Sequence, residues 1–263
     1  MSSITQKHRH LAIETALGGE TLVIREFTGQ EALGRLFRYQ VKLYSENANL
    51  PLEDLIGGNA TIRLQLEDSS TRYFNGYFSD MVFTGIRGEY ALYQGTLSPY
   101  LWFLTRSSDC RIYQEMTIPK IIEETFNRRG LTDYELRLTQ NFQEHEFLVQ
   151  YNETDFNFVS RLMEEAGIYY FHEHENGKHK LILADSMSAH QTFAGYEDIP
   201  FRNRDENILE TDYIYQYNVR RQVRSARYEV TDFDFKKPKV DLTAKKIERK
   251  DHLASDYEHF LHA

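Results

Sequence analysis

The sequence predicts an α+β, β-rich fold, and three observations predict it. Short segments of alternating polarity fill the first hundred residues and return near the end, with two amphipathic helical patterns between them. Aromatic residues reach 14%, carried by 18 Tyr and 17 Phe, side chains that suit half-buried pleated surfaces and protein interfaces.

Taken in order, Phe37, Tyr39, Val41 and Leu43 alternate with Arg38, Gln40 and Lys42, a strand with one wet face. Ile62, Leu64 and Leu66 repeat the pattern around Arg63 and Gln65. Aromatic-rich strands are expected over residues 72–84 and 89–97, with the turn at Gly85 and Gly88 and a bulge or bend at Gly76. Such closely spaced strands predict a small barrel or sandwich.

The period then changes. Thr117 can cap a helix with Pro119 in its first turn, Ile118, Ile121, Ile122 and Phe126 on one face, and Gly130 as its stop. Thr154 can cap a second, with Phe158, Val159, Leu162, Met163 and Ala166 on its apolar side and Gly167 at its end. Residues 168–175 and 178–184 flank Asn176-Gly177, a two-residue hairpin in which both turn positions favour positive φ. That register sets Glu175 opposite Lys178 and Glu173 opposite Lys180, two favourable charge pairs. Strands are expected again over residues 213–219 and 226–235, closed by Pro238. Joined by a basic turn near residues 220–224, they resemble the segment 22–43, a hint of a repeated barrel.

Net charge is −9, which excludes a general nucleic-acid binder. Residues 220–250 hold 11 Lys/Arg against 5 Asp/Glu, a local +6 that leaves −15 for the remainder. This reads as a solvated basic face or as a docking surface for an acidic partner, another copy of the chain included. Cys110 is the only cysteine, so no intramolecular disulfide forms, in keeping with folding in a reducing compartment. The start MSSITQKHRH lacks an apolar stretch behind its basic residues, so no Sec-type signal peptide and cytoplasmic folding are expected. No segment approaches the roughly 20 apolar residues of a membrane span, and no stable membrane insertion is expected.

Candidate chemistry is sparse. His172 and His174 share a hairpin face and His179 lies opposite His174, so three imidazoles could hold Zn²⁺. The competing reading is a hydrophilic hairpin tip without acceptors to orient the ligands, and it is the one we expect. Cys110, in Ser-Asp-Cys-Arg, matches no protease motif and reads as a buried or half-buried structural thiol. Glu123-Glu124 and Glu164-Glu165 are adjacent on helices and diverge, so neither makes an acid/base dyad. Phosphate loops, dinucleotide fingerprints and Gly-x-Ser-x-Gly elbows do not occur. We expect no catalytic, cofactor-binding or metal residues, no cofactor, and no enzymatic activity.

Several stretches in collinear order carry a resemblance. They are LFRYQVKLYSEN with Gly57-Gly58 behind it, LWFLTRSSDCRIYQ at 101–114, and Ile118-Pro119-Lys120-Ile121-Ile122. The run QYNETDFNFVSRLMEEAGIYYFHEHENGKHKLILAD at 150–185 and RYEVTDFDFKKP at 227–238 complete the set. Together the chain resembles the N-terminal hub region of the VgrG family, the valine-glycine repeat proteins that tip type VI secretion tubes. The resemblance implies a fold like the central hub of contractile phage tails, trimeric, with two related small β-barrels per subunit in a pseudo-sixfold ring. It implies as partners the hexameric Hcp tube, baseplate components, and effector or adaptor proteins. It also implies a chain that is cytoplasmic before firing and then secreted or delivered into a target cell. Family members continue into a needle beyond Asp256-Tyr257-Glu258-His259-Phe260, so trimerisation is expected of the full-length protein. The expected organisation is a first hub barrel over 1–105, an α/β middle part over 106–205, and the start of a second barrel over 206–263. The alternatives are a hub of a phage or phage-like tail and, from another class, a hydrolase of cell-wall glycan.

Overall fold

The alternating segments of the first hundred residues become six strands: β1 (Leu11–Thr15), β2 (Val23–Gln30), β3 (Arg38–Ser45), β4 (Asn59–Gln65), β5 (Thr71–Arg87) and β6 (Tyr90–Ser98). The computed structural model describes residues 4–66, 69–192, 196–202, 213–233, 236–248 and 257–262. The six strands pair antiparallel in the order β1-β4-β5-β6-β3-β2. The sheet curls, and Gln6 bridges its two edge strands. Its Nε2 donates to the Ile13 carbonyl at 2.9 Å, while its Oε1 accepts from the N–H groups of Ile13 at 2.9 Å and Ile24 at 3.3 Å. A carboxamide offers the same donor and acceptor as a peptide, so buried Gln6 substitutes for a backbone rung at the seam.

Tyr39, Val41 and Leu43 point inward as their alternation requires, and Ile13, Ile24, Ile62, Phe78, Tyr93 and Leu97 complete this core. Two glycines act otherwise than the sequence suggests. Gly76 stays in register opposite Ala60; a Cβ there would lie 3.1 Å from Leu97 Cβ and 3.2 Å from the Ser98 carbonyl. It permits close approach of neighbouring chains and makes no bend. The register shifts instead between Phe78 and Asp80 and between Phe83 and Gly85. Gly85 is therefore a bulge residue within β5, with φ +126°, and the chain reverses at Gly88, with φ +63°.

A 3₁₀ turn, Tyr100–Arg106, carries Leu101 and Leu104 into a second core. There follow β7 (Ser108–Thr117), α1 (Ile118–Arg128), β8 (Tyr134–Arg137), β9 (Glu144–Thr154), α2 (Asp155–Ala166), β10 (Tyr169–Glu175) and β11 (Lys178–Ala184). β7 and β9 form a two-stranded ribbon, and β10, β11 and β8 a three-stranded sheet with β8 parallel to β11. Both helices bury the expected faces: Ile118, Ile121, Ile122 and Phe126 from α1, and Phe158, Val159, Leu162 and Met163 from α2. Thr154 Oγ1 accepts from the Asn157 N–H at 3.1 Å, and Gly167 closes α2 in the left-handed region. Thr117 precedes α1 without a side-chain cap.

The hairpin has the expected register, Glu175 opposite Lys178 and Glu173 opposite Lys180. Its turn differs: Gly177 has φ +82°, but Asn176 is not among the residues with positive φ. Only the first charge pair forms, at 3.4 Å. Glu173 instead takes Arg137 at 2.7 Å, and Lys180 takes Glu135 at 3.4 Å, because β8 brings a better-placed guanidinium and carboxylate alongside β11.

The chain divides into two compact units after Glu197. The second contains β12 (Arg227–Thr231), β13 (Ala244–Ile247) and β14 (Glu258–His262), in the order β13-β12-β14. The strand expected over 213–219 does not form; one bridge joins Ile214 to Phe201, so the repeat of the segment 22–43 is not built. The strand expected over 226–235 is shorter, and its residues 234 and 235 lie outside the described residues, as does the expected boundary at 205/206. No helix among the described residues is long and apolar enough to cross a membrane.

Candidate functional site

The three-histidine face of the hairpin is not an exposed tip. It packs onto the six-stranded sheet: His179 is 6% exposed, and the Phe37 ring lies 4.9 to 5.3 Å from all three imidazoles. The imidazoles stand 5.5 to 6.5 Å apart. Strand register explains the burial, because His172 and His174 continue the face of Tyr170, and His179 that of Leu181 and Leu183.

Hydrogen bonds fix the tautomers. His174 Nδ1 accepts from the Asn75 backbone N–H at 3.1 Å, so its proton sits on Nε2, which meets the Tyr39 hydroxyl at 3.0 Å. Tyr39 in turn donates to Glu31. His179 Nε2 accepts from the Tyr100 N–H at 3.0 Å, so its Nδ1–H donates to Asn75 Oδ1 at 2.8 Å. Burial holds His174 down at about 4 and His179 at about 3, and it pushes His172 well below the ordinary imidazole range. Burial likewise raises the Tyr39 hydroxyl, helped by the Glu31 carboxylate.

This arrangement bears directly on metal binding. A zinc ligand must offer a free lone pair, and both ring nitrogens of His174 and His179 are engaged. His172 Nε2 alone is buried without a partner, and His172 lines a cavity of about 160 Å³ together with Tyr77, Tyr100 and Asp133. Among the described residues no group of three or more His, Cys, Asp or Glu side chains is placed to hold a metal ion.

Sequence reasoning missed a second buried polar centre. Asp155, fully buried at the first residue of α2, accepts from Arg128 Nη2 at 3.1 Å, Arg129 Nε at 2.6 Å, Gln150 Nε2 at 2.9 Å and Ser107 Oγ at 2.8 Å. Its own N–H donates to the Ser107 carbonyl at 2.9 Å. One carboxylate thus joins the entry to β7, the end of α1, the end of β9 and the start of α2. The only signal in the sequence is an acidic residue in a helix's first turn, which any surface helix also shows.

The remaining candidates do not converge. Cys110 is exposed, contrary to the expectation of a buried thiol, because the β7 register shifts between Asp109 and Arg111 and leaves it outside the pairing. Its Sγ accepts from the Asn152 N–H at 3.3 Å. Glu123 accepts from the Tyr134 hydroxyl at 3.3 Å, whereas Glu124, Glu164 and Glu165 face solvent. Large apolar side chains are exposed on the outer face of the β7–β9 ribbon, with Ile112 at 68%, Phe147 at 65% and Tyr151 at 77%. Such a face suits contact with protein.

Comparison with known proteins gives one family and a consistent set of relatives. Residues 30–263 match the family of the phage tail baseplate hub (GPD). The chain is 40% identical over 255 residues to the type VI secretion system spike protein VgrG1b of Pseudomonas aeruginosa, covering 97% of this chain and 34% of that protein. It spans about a third of the length of the curated relatives it matches. An Escherichia coli type VI secretion system component, described as similar to the T4 bacteriophage tail proteins gp27 and gp5, superimposes with a TM-score of 0.63 at 24% identity, over 73% of this chain and 52% of that one. A 43 kDa tail protein of prophage MuSo2 from Shewanella oneidensis superimposes with a TM-score of 0.59 at 12% identity, over 97% of this chain and 72% of that one.

Proposed function

The chain belongs to the phage tail baseplate hub (GPD) family, and on that premise we propose that it is the structural hub of a type VI secretion spike. The observation that carries this reading is the 40% identity to a secretion spike protein spread over 97% of the chain. In this reading the full-length protein is a homotrimer whose hub ring caps the Hcp hexameric tube, contacts baseplate components, and carries a puncturing needle with effector or adaptor proteins. It is held in the cytoplasm before firing and leaves with the tube. The role is mechanical and not enzymatic, and no cofactor enters it. The geometry supports a scaffold. Buried polar centres at Asp155 and at the histidines lock the sheets and helices of the first unit together, while exposed apolar side chains lie on flat strand faces.

The direct test is deletion of the gene in its host, with Hcp in the culture medium as readout. Export should fall to background and return on complementation; undiminished export would refute the reading. Likeness to a prophage tail protein favours one second reading, a hub of a phage-like contractile tail. Neighbouring genes distinguish them, membrane-complex genes in one case and capsid genes in the other. A glycan hydrolase would need two carboxylates facing across a cleft, and Glu124, Glu164 and Glu165 lie open to solvent.

A further inference from the structure

We propose that the histidine cluster is an acid-sensitive latch, in which protonation of His174 or His179 releases the β10–β11 hairpin from the six-stranded sheet. The inference stands whichever contractile assembly the chain serves, because it rests on the geometry of one joint.

Each imidazole meets a donor that cannot turn round. The partner of His174 Nδ1 is the Asn75 backbone N–H, and the partner of His179 Nε2 is the Tyr100 backbone N–H. A proton added to either nitrogen would set N–H against N–H in a buried place, converting an attraction into an unsatisfied pair. Asn75 cannot relieve this by flipping its amide. Its Nδ2 donates to Asn59 Oδ1 at 2.9 Å and Thr61 Oγ1 at 2.8 Å, while its Oδ1 takes the His179 proton. Four hydrogen bonds from the hairpin to its surroundings run through these two rings. On the side facing the six-stranded sheet, the ties that bypass them are Gly34 N–H to the Tyr170 carbonyl at 2.8 Å and Gly177 N–H to Thr61 Oγ1 at 3.2 Å. On its other side the hairpin stays held to β8 by the β11 ladder, Glu173–Arg137 and Lys180–Glu135.

The charges facing the cluster do not rescue an imidazolium. Glu31, beyond Tyr39, pulls His174 upward, but burial outweighs it and Arg72 on β5 opposes it. On β10 and β11 the imidazoles repel one another's charged forms, and His172 is lowered by both neighbours. Asp133 lines the cavity beside His172 and His179 without contributing to either shift. The Tyr39 and Tyr170 hydroxyls, raised by burial, stay neutral, and Tyr77 and Tyr100 contribute rings and a backbone N–H.

The direction follows from linkage. The docked imidazoles titrate at about 4 and about 3, against the ordinary value near 6.5 once released. The released hairpin therefore binds more protons, so docking is strongest above about pH 6.5 and weakens as pH falls toward those lower values. At about pH 5 each ring shifts the equilibrium toward release by about 30-fold, and His172 acts in the same sense.

Hydrogen exchange on the 263-residue chain, read by mass spectrometry at about pH 7 and about pH 5 and corrected for intrinsic exchange, tests this. Protection of the amides bonded across the joint, those of Gly34, Asn75, Tyr100 and Gly177, should fall by at least about 30-fold at the lower pH while peptides from α1 and α2 keep theirs. In the double variant His174→Gln, His179→Gln these amides should be less protected at neutral pH, and the fall in protection between the two pH values should shrink to the part that His172 alone supplies. Equal protection at both pH values, or loss spread evenly over α1 and α2, would overturn the latch. Should the variant not fold, imidazole NMR titration of the wild-type chain decides. Resonances that move with midpoints near 6.5 refute the proposal, and midpoints below about 4.5 support it.

Discussion

Replacing Asp155 by Ala should be among the most damaging single changes in the first unit. The carboxylate is fully buried and accepts two guanidinium hydrogen bonds, from Arg128 and Arg129, whose side chains are 18% and 33% exposed. Truncating one partner of a buried ion pair leaves uncompensated charge and costs about 3–5 kcal/mol. Ser107 and Gln150 would each lose an acceptor as well, about 1 kcal/mol apiece before relaxation. Arg128 keeps a second carboxylate, Asp109 at 3.0 Å, which offsets part of the loss. A net destabilisation of about 4 kcal/mol follows, a large share of the roughly 5–15 kcal/mol that holds a domain folded. The control is Glu153→Ala, which removes the more open ion pair with Arg161, 2.8 Å long with side chains 44% (Arg161) and 19% (Glu153) exposed, and costs about 1 kcal/mol. Urea unfolding followed by circular dichroism reads both. With a slope of about 2 kcal/mol per molar, Asp155→Ala should lower the midpoint by about 2 M and the control by about 0.5 M. Equal midpoints for the two variants would show that the Arg128 and Arg129 charges are satisfied elsewhere, and the view of Asp155 as the organising group would fail.

The apolar face of α2 offers a second test: Leu162→Asp and Phe158→Asp each bury a carboxylate where the native side chain is wholly enclosed. Each should cost several kcal/mol, and thermal melts no lower than those of a surface control would refute the packing. Protein purified without an affinity tag should contain no stoichiometric zinc, since His174 and His179 have no lone pair to offer; elemental analysis finding one zinc per chain would contradict this. The 263-residue chain alone should be monomeric or weakly and salt-dependently associated, because it spans about a third of its relatives' length and the +6 of residues 220–250 supplies steering that salt screens. Light scattering that shows a salt-insensitive trimer at low micromolar concentration would refute this.

Periodicity revealed those elements whose partners are near in sequence. The hairpin register follows from Asn176-Gly177 alone; α2 follows from a cap, an apolar stripe and a glycine, and α1 from its stripe and glycine, since Thr117 makes no side-chain cap. Two assignments failed for one reason: each depends on a neighbour that local pattern does not identify. Gly76 is needed because Leu97 and Phe37 press on it from other strands, and Glu173 ignores Lys180 because β8 delivers Arg137. The histidines look hydrophilic one by one. Their strand parity with Tyr170, Leu181 and Leu183 put them on the buried face all along, so the face should have outweighed the residue type.

The second unit carries the same lesson toward function. Residues 213–219 alternate well enough to predict a strand, yet among the described residues their one β-bridge is at Ile214, and Tyr217 and Val219 remain exposed. Alternating polarity records that a segment is suited to lie half-buried in a sheet; it does not say which chain supplies the adjoining strand or the covering face. In β12 to β14, Tyr228, Ile247, Phe260 and Leu261 are likewise exposed. A three-stranded sheet with apolar side chains open to water is poorly stabilised unless something packs on it. Among the described residues, a strand-rich pattern with sparse pairing fits the assembly module proposed above.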